Sequence, residues 1–125
     1  MKRTFTQDGF SVTVEHIFDE SPDLSYLTQD YKDPSISARE AARMRAADKV
    51  RLDQYNRGLW HMVGVAVKIR RQTASNWADG GLEVGRASVW GIESDSGADY
   101  FAEVERDMVS EAFAEVAKLR AALCQ

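Results

Sequence analysis

The sequence predicts a single α+β domain over residues 1–125, with elements in the order β-α-β-β-α. A small, mainly antiparallel three-stranded sheet packs with two helices. Three observations predict it. Phe10-Ser-Val12-Thr-Val14-Glu-His16 alternates apolar and polar side chains, the period of a half-buried strand. Leu59 to Gln72 and Leu82 to Ile92 are strand-like runs separated by a turn-rich segment. Two long stretches, from Ser37 to Asn56 and from Ala98 to Ala122, are rich in helix formers.

After the first strand, Ser21-Pro22-Asp23 and Asp33-Pro34-Ser35 mark turns, because proline fixes its own φ and pushes its predecessor out of the α region. Tyr26, Leu27 and Tyr31 are expected to tack this connection to the core. Ser37 reads as the N-cap of the first helix, and Gly58 stands just past its end. Its apolar face is thin: Ala41, Met44, Ala47, Val50 and Tyr55. In the next strand, His61, Val63, Val65, Val67 and Ile69 share one face; Trp60, Met62, Gly64, Ala66, Lys68 and Arg70 share the other. Asp79-Gly80 is a strong hairpin signal, since both residues tolerate positive φ. A two-residue turn there sets Val67 opposite Ile92, Ile69 opposite Trp90 and Trp77 opposite Leu82, which puts Trp90 on the buried face. The small and cationic residues then pair on the other face, with Gly85, Ala87, Val89 and Gly91 near Ala66, Lys68 and Arg70. The last helix carries the stripe Phe101, Val104, Met108, Ala112, Val116, with Leu119 and Leu123. Ser96-Gly-Ala-Asp99 resembles a capping box.

Composition narrows the class. Apolar residues are 44% and charged residues 29% of 125, a globular balance. The longest apolar run, Leu59 to Val67, falls far short of the about 20 residues a membrane span needs. The basic N-terminus has no apolar stretch behind it and does not read as a signal peptide. One cysteine, Cys124, permits no disulfide framework. These features lead to an expectation of cytoplasmic residence and no membrane association.

Net charge is −4, but its distribution is uneven. Residues 1–37 hold three basic and seven acidic side chains, residues 38–78 nine and three, and residues 79–125 four and ten. One reading is that the two helices neutralise each other. The others are a basic binding face, or an acidic face imitating nucleic acid.

Several clusters invite a chemical reading. Glu93-Ser-Asp95-Ser-Gly97-Ala-Asp99 alternates oxygen ligands, but it lacks the full calcium loop and reads better as a strand-to-helix turn. His16 and His61 are expected on inward faces as hydrogen-bonded core residues. Scattered Gly80, Gly81 and Gly85 suggest hairpin geometry, not a phosphate cradle. No catalytic signature is present, so no enzyme activity, metal or cofactor is expected.

The segment Val89-Trp-Gly-Ile-Glu-Ser-Asp-Ser-Gly-Ala-Asp-Tyr-Phe-Ala-Glu-Val, preceded by Tyr55-Asn-Arg-Gly-Leu-Trp-His-Met-Val-Gly-Val-Ala-Val, resembles small uncharacterised proteins of phages, plasmids and bacterial chromosomes. These carry a GLWGIESDS-like segment leading into a final helix. The resemblance covers roughly residues 55–123. It implies a mobile-element origin and brings no activity or site residues.

The leading expectation is therefore a non-enzymatic accessory protein that binds a host protein, as an inhibitor of a defence nuclease or a CRISPR effector complex. The alternative is a small nucleic-acid-binding protein using the basic middle. The candidate contact residues are Trp77 with Lys68, Arg70 and Arg71, and next the acidic line Glu103, Asp107 and Glu111 on the last helix. The under-covered first helix and the small-residue face of the hairpin suggest a homodimer.

Overall fold

A computed structural model describes residues 1–71 and 81–124. Strands β1 (Lys2–Gln7) and β2 (Phe10–Phe18) are followed by a short 3-10 turn (Ser25–Leu27) and helix α1 (Ala38–Asn56). Strands β3 (Met62–Arg71) and β4 (Leu82–Glu93) lead into helix α2 (Ala98–Leu123). The strands form one four-stranded antiparallel sheet in the order β1-β2-β3-β4. The α+β class and both helices are as expected; the sheet has four strands, not three.

The added strand is β1. Its sequence KRTFTQ has a single apolar side chain, which is too weak an alternation to stand out. Gln7 pairs with Phe10, so Asp8-Gly9 is a two-residue turn, with φ of 54° and 83°. This is the Asp-Gly hairpin geometry expected at residues 79–80. Asp79 and Gly80 lie outside the described residues.

The β3–β4 register differs from the one expected. Val67 pairs with Ala87, Ile69 with Gly85, Val65 with Val89 and Val63 with Ile92. Between the last two pairs β4 has one residue more than β3. Gly91, at φ 77°, absorbs it as a β-bulge. The bulge keeps Val89 and Ile92 on one face although they are three apart, while Trp90, next after Val89, alternates to the other. Trp90 is thus no core residue; it is 49% exposed. Gly85, Ala87 and Val89 join the covered face instead.

That face is the main core. Val12, Val14, Val65, Val67 and Ile69 are fully buried beneath Met108, Ala112 and Val116 of α2. A Cβ on Gly85 would lie 2.5 Å from the Ala112 carbonyl oxygen, so this glycine serves the close approach of helix to sheet and not a hairpin turn. Phe101 and Val104 pack at the margin of the core. Leu119 and Leu123 run out to solvent, at 41% and 76% exposure. Gly97, with φ 96°, is the N-cap of α2 and makes no side-chain cap bond. The Ser96 hydroxyl donates instead to the Glu93 carbonyl, so the expected capping box does not form.

Helix α1 is built differently. Ser37 caps it by accepting from the Glu40 N–H, and Gly58 follows the C-cap in a left-handed conformation. Its inward face is not the expected apolar one: Ala41 is buried and Met44 and Tyr55 half-buried, but Ala47 is exposed and Val50 is 58% exposed. Leu52 and Tyr55 meet a small second core of Leu27, Trp60 and Met62. The helix touches the 3-10 turn, and among the described residues no ion pair joins it to α2; its link to the acidic C-terminal third is Arg51 with Glu93 and Asp95.

Candidate binding surface

Because α2 covers one side of the sheet and α1 sits at its end, most of the other side stays open. The register states what lies there. Thr4, Thr13, Lys68 and Arg86 form one transverse row, and Lys2, Glu15, Ala66 and Ser88 the next. Ser11 lies beside Arg70, which pairs with Glu83 across β4. At the end of this face the Trp90 indole lies against Gly64, where a Cβ would overlap the ring. Lys68 and Arg70 are half-buried, since their alkyl stems lie along the sheet while the charges reach water. Arg86 is paired to Glu83. The result is a shallow surface of hydroxyls and mixed charge, with Lys2, Lys68, Arg70 and Arg86 beside Glu15 and Glu83, and one half-exposed indole.

Of the residues singled out from the sequence, Lys68 and Arg70 stand together on this face. Arg71 alternates to the far side, exposed at the strand end beside Phe10, Leu82 and Arg120. Glu103, Asp107 and Glu111 are exposed along the outer side of α2, opposite the open face. Trp77 lies outside the described residues. The contact set is therefore divided between two sides of the molecule. Trp90 was missed as a surface residue; the signal that would have exposed it is Gly91, since a glycine inside a strand often marks a bulge.

The Trp90-to-Ser96 segment is otherwise structural. Glu93 accepts hydrogen bonds from Arg51 (2.8 Å) and from the Tyr26 hydroxyl (2.6 Å), and Asp95 accepts from Arg51 Nη1 at 2.8 Å. The Arg51 guanidinium lies 4.0 Å above the Trp60 ring, and the Trp60 indole N–H donates to the Arg51 carbonyl at 3.0 Å. Ser94 Oγ accepts from the His61 N–H. Arg51 thus joins α1 to the turn after β4. Hydrogen bonding to Arg51 holds the Asp95 carboxyl below its usual range, against the opposing effect of desolvation. Burial first, and then donation to Glu93, push the Tyr26 phenol upward. Of the alternating carboxylates, Glu93 and Asp95 are taken up by this clamp, and Asp99 stands in the first turn of α2. Among the described residues no group of three His, Cys, Asp or Glu side chains is placed to hold a metal ion.

The histidines have separate fates. His16 Nε2 lies 2.9 Å from Glu105, which also accepts from Arg3, and the ring stacks on Phe101 at 5.0 Å. It ties β2 to α2, as a hydrogen-bonded histidine in a core would. His61 was expected inward but is exposed, because it precedes β3; its ring rests 5.5 Å from Phe18.

No protein-family description, curated protein or solved structure matches the chain. No helix among the described residues is long and apolar enough to cross a membrane.

Proposed function

We propose that this chain is a non-enzymatic accessory protein of a mobile element, and that it binds a host protein through the open face of its sheet. The observation that carries this reading is the half-exposed Trp90 held against Gly64, on the same uncovered face as Lys68 and Arg70. A large aromatic on a rigid strand loses little conformational freedom on binding, and Trp is enriched among residues that dominate interface energy. Lys68 and Arg70, further along the same face, favour a partner with an acidic surface there. An inhibitor of a host defence nuclease or CRISPR effector complex is the role that accords with the mobile-element resemblance.

The test is capture from host lysate followed by direct binding of the identified protein, comparing the parent with Trp90→Ala and with Lys68→Glu/Arg70→Glu. Both variants are expected to lose the partner while keeping the parent's melting temperature within a few degrees. Undiminished binding by both would rule this face out, and the acidic line Glu103, Asp107, Glu111 would be examined next. An inhibitor also lowers interference against an incoming plasmid in a host carrying the targeted system.

The same cations and indole favour a second reading, single-stranded nucleic acid, with Trp90 stacking on a base. It predicts affinity for random single strands that falls steeply with salt, because bound phosphates release counterions. Weak, salt-insensitive binding would exclude it.

A further inference from the structure

The outer edge of β1 has no strand beside it among the described residues. Hydrogen-bond parity decides which groups it presents. The His16 N–H donates to the Met1 carbonyl, and residues pair in step from Lys2↔Glu15 to Gln7↔Phe10. Alternation in an antiparallel ladder then turns the N–H and C=O groups of Arg3, Phe5 and Gln7 toward β2, and those of Lys2, Thr4 and Thr6 outward. Unlike β4, which carries register shifts at two places, β1 pairs without interruption. It offers a regular run of unpaired backbone groups, the kind that recruits another strand.

The helix-side face near this edge is also poorly covered. The backbone of helix α2 comes closest to β3 and β4; it reaches β2 and β1 through side chains, His16 and Arg3 meeting Glu105 and Phe10 meeting Phe113. Between α2 and β1 it leaves a groove floored by Phe5, Val109 and Phe113, with Arg106 on its rim. The strand ends carry opposite charge: Lys2 at one, beside an Arg3 already held by Glu105, and the exposed Asp8 at the other.

We propose that β1 pairs antiparallel with β1 of a second copy of this chain, giving a two-fold dimer with a continuous eight-stranded sheet. Charge complementarity selects a second copy as the occupant. Under a two-fold axis each strand's basic end meets the other's acidic end, so one self-complementary surface serves both chains. The outward groups belong to even-numbered residues, which restricts the registers to those joining even with even. Of these, the register centred on Phe5 pairs Thr4 with the second copy's Thr6 and brings Lys2 to its Asp8-Gly9 turn, on both sides of the axis. It also brings the two Phe5 rings together and closes the two grooves against each other. The axis stands normal to the sheet, so both open faces, each with its Trp90, lie on the same side.

Light scattering at micromolar concentration is expected to give twice the 14.0 kDa chain mass. Thr4→Pro removes an outward N–H and no bond to β2, and proline is tolerated at a strand edge. This variant is expected to keep the parent's circular dichroism and to become monomeric. As an independent check that does not depend on that variant folding, Phe5→Cys in a Cys124→Ser background is expected to form an interchain disulfide under mild oxidation. Ser88→Cys on β4 is expected not to. A monomeric parent would overturn the proposal. So would a folded Thr4→Pro variant that remains dimeric, or cross-linking through position 88 and not position 5.

Discussion

Helices α1 and α2 are both long, yet they are held by different physics. Helix α2 lays Met108, Ala112 and Val116 on a sheet face where five valine and isoleucine side chains are fully shielded. Its attachment is apolar area and close packing, with Gly85 admitting the helix backbone. Helix α1 has no such stripe. It is joined through Trp60, Leu52 and Tyr55 and through one guanidinium shared by Glu93 and Asp95. The Tyr31 hydroxyl donates to Asp48 and Arg45 to the Asp30 carbonyl, which bind the preceding connection to the same helix. A helix with strong propensity and little apolar surface docks where a few polar and aromatic contacts converge. Such docking is more local and easier to undo.

The largest break in this contrast comes from the sheet core. Ile69→Ala is expected to cost about 2–5 kcal/mol through lost burial and a residual cavity, read as a cooperative loss of melting temperature affecting strands and helices together. Gly85→Ala tests the helix approach more finely. With the Ala112 carbonyl in the way, overpacking is expected to cost about 1–3 kcal/mol, measured by urea unfolding. An unchanged midpoint would mean that α2 stands further from β4.

Trp60→Ala probes the other region. Its expected signature is local: amide exchange in α1 accelerates while the protection of β2 and β3 is kept. Uniform loss of protection would show that both cores unfold as one unit. Arg51→Met is milder, expected to cost about 1 kcal/mol, since the ion pairs are partly solvated. It too is seen mainly as faster exchange in α1.

The smallest effect is that of pH. The Asp95 carboxyl titrates lower in the folded chain than in the unfolded one, so its contribution is present above the ordinary aspartate range. It is lost as pH falls through the lower folded value. Acid is therefore expected to loosen α1 before the α2-covered sheet, visible as earlier broadening of α1 resonances in an acid titration. Simultaneous loss of both regions would remove the distinction.

The legibility of the sequence follows the same division. Valine-rich β3, the alternation of β2 and the stripe of α2 each repeat one signal many times, so burial had one consistent solution. Strand β1 carries that signal only at Phe5 and becomes a strand by pairing with β2 across Asp8-Gly9. The inward side of α1 was misread because Ala47 and Val50 look apolar, whereas its orientation is set by Arg51 reaching residues more than forty positions away. The surface proposed for binding was legible in Lys68 and Arg70 and illegible in Trp90.

By itself the sequence determined the α+β class, the spans of both helices, the cap at Ser37 and the apolar faces of β2, β3 and α2. These depend on period and propensity, which act over a few neighbouring residues. Only the tertiary structure decided the register of β3 with β4, the outward turn of Trp90 and the side on which each charge stands. A bulge at Gly91 inserts one residue into the ladder. Val67 pairs with Ala87 where Ile92 was expected, and because side chains alternate with every residue, that odd shift puts Trp90 outward, while the inserted residue returns Ile92 to the face of Val89.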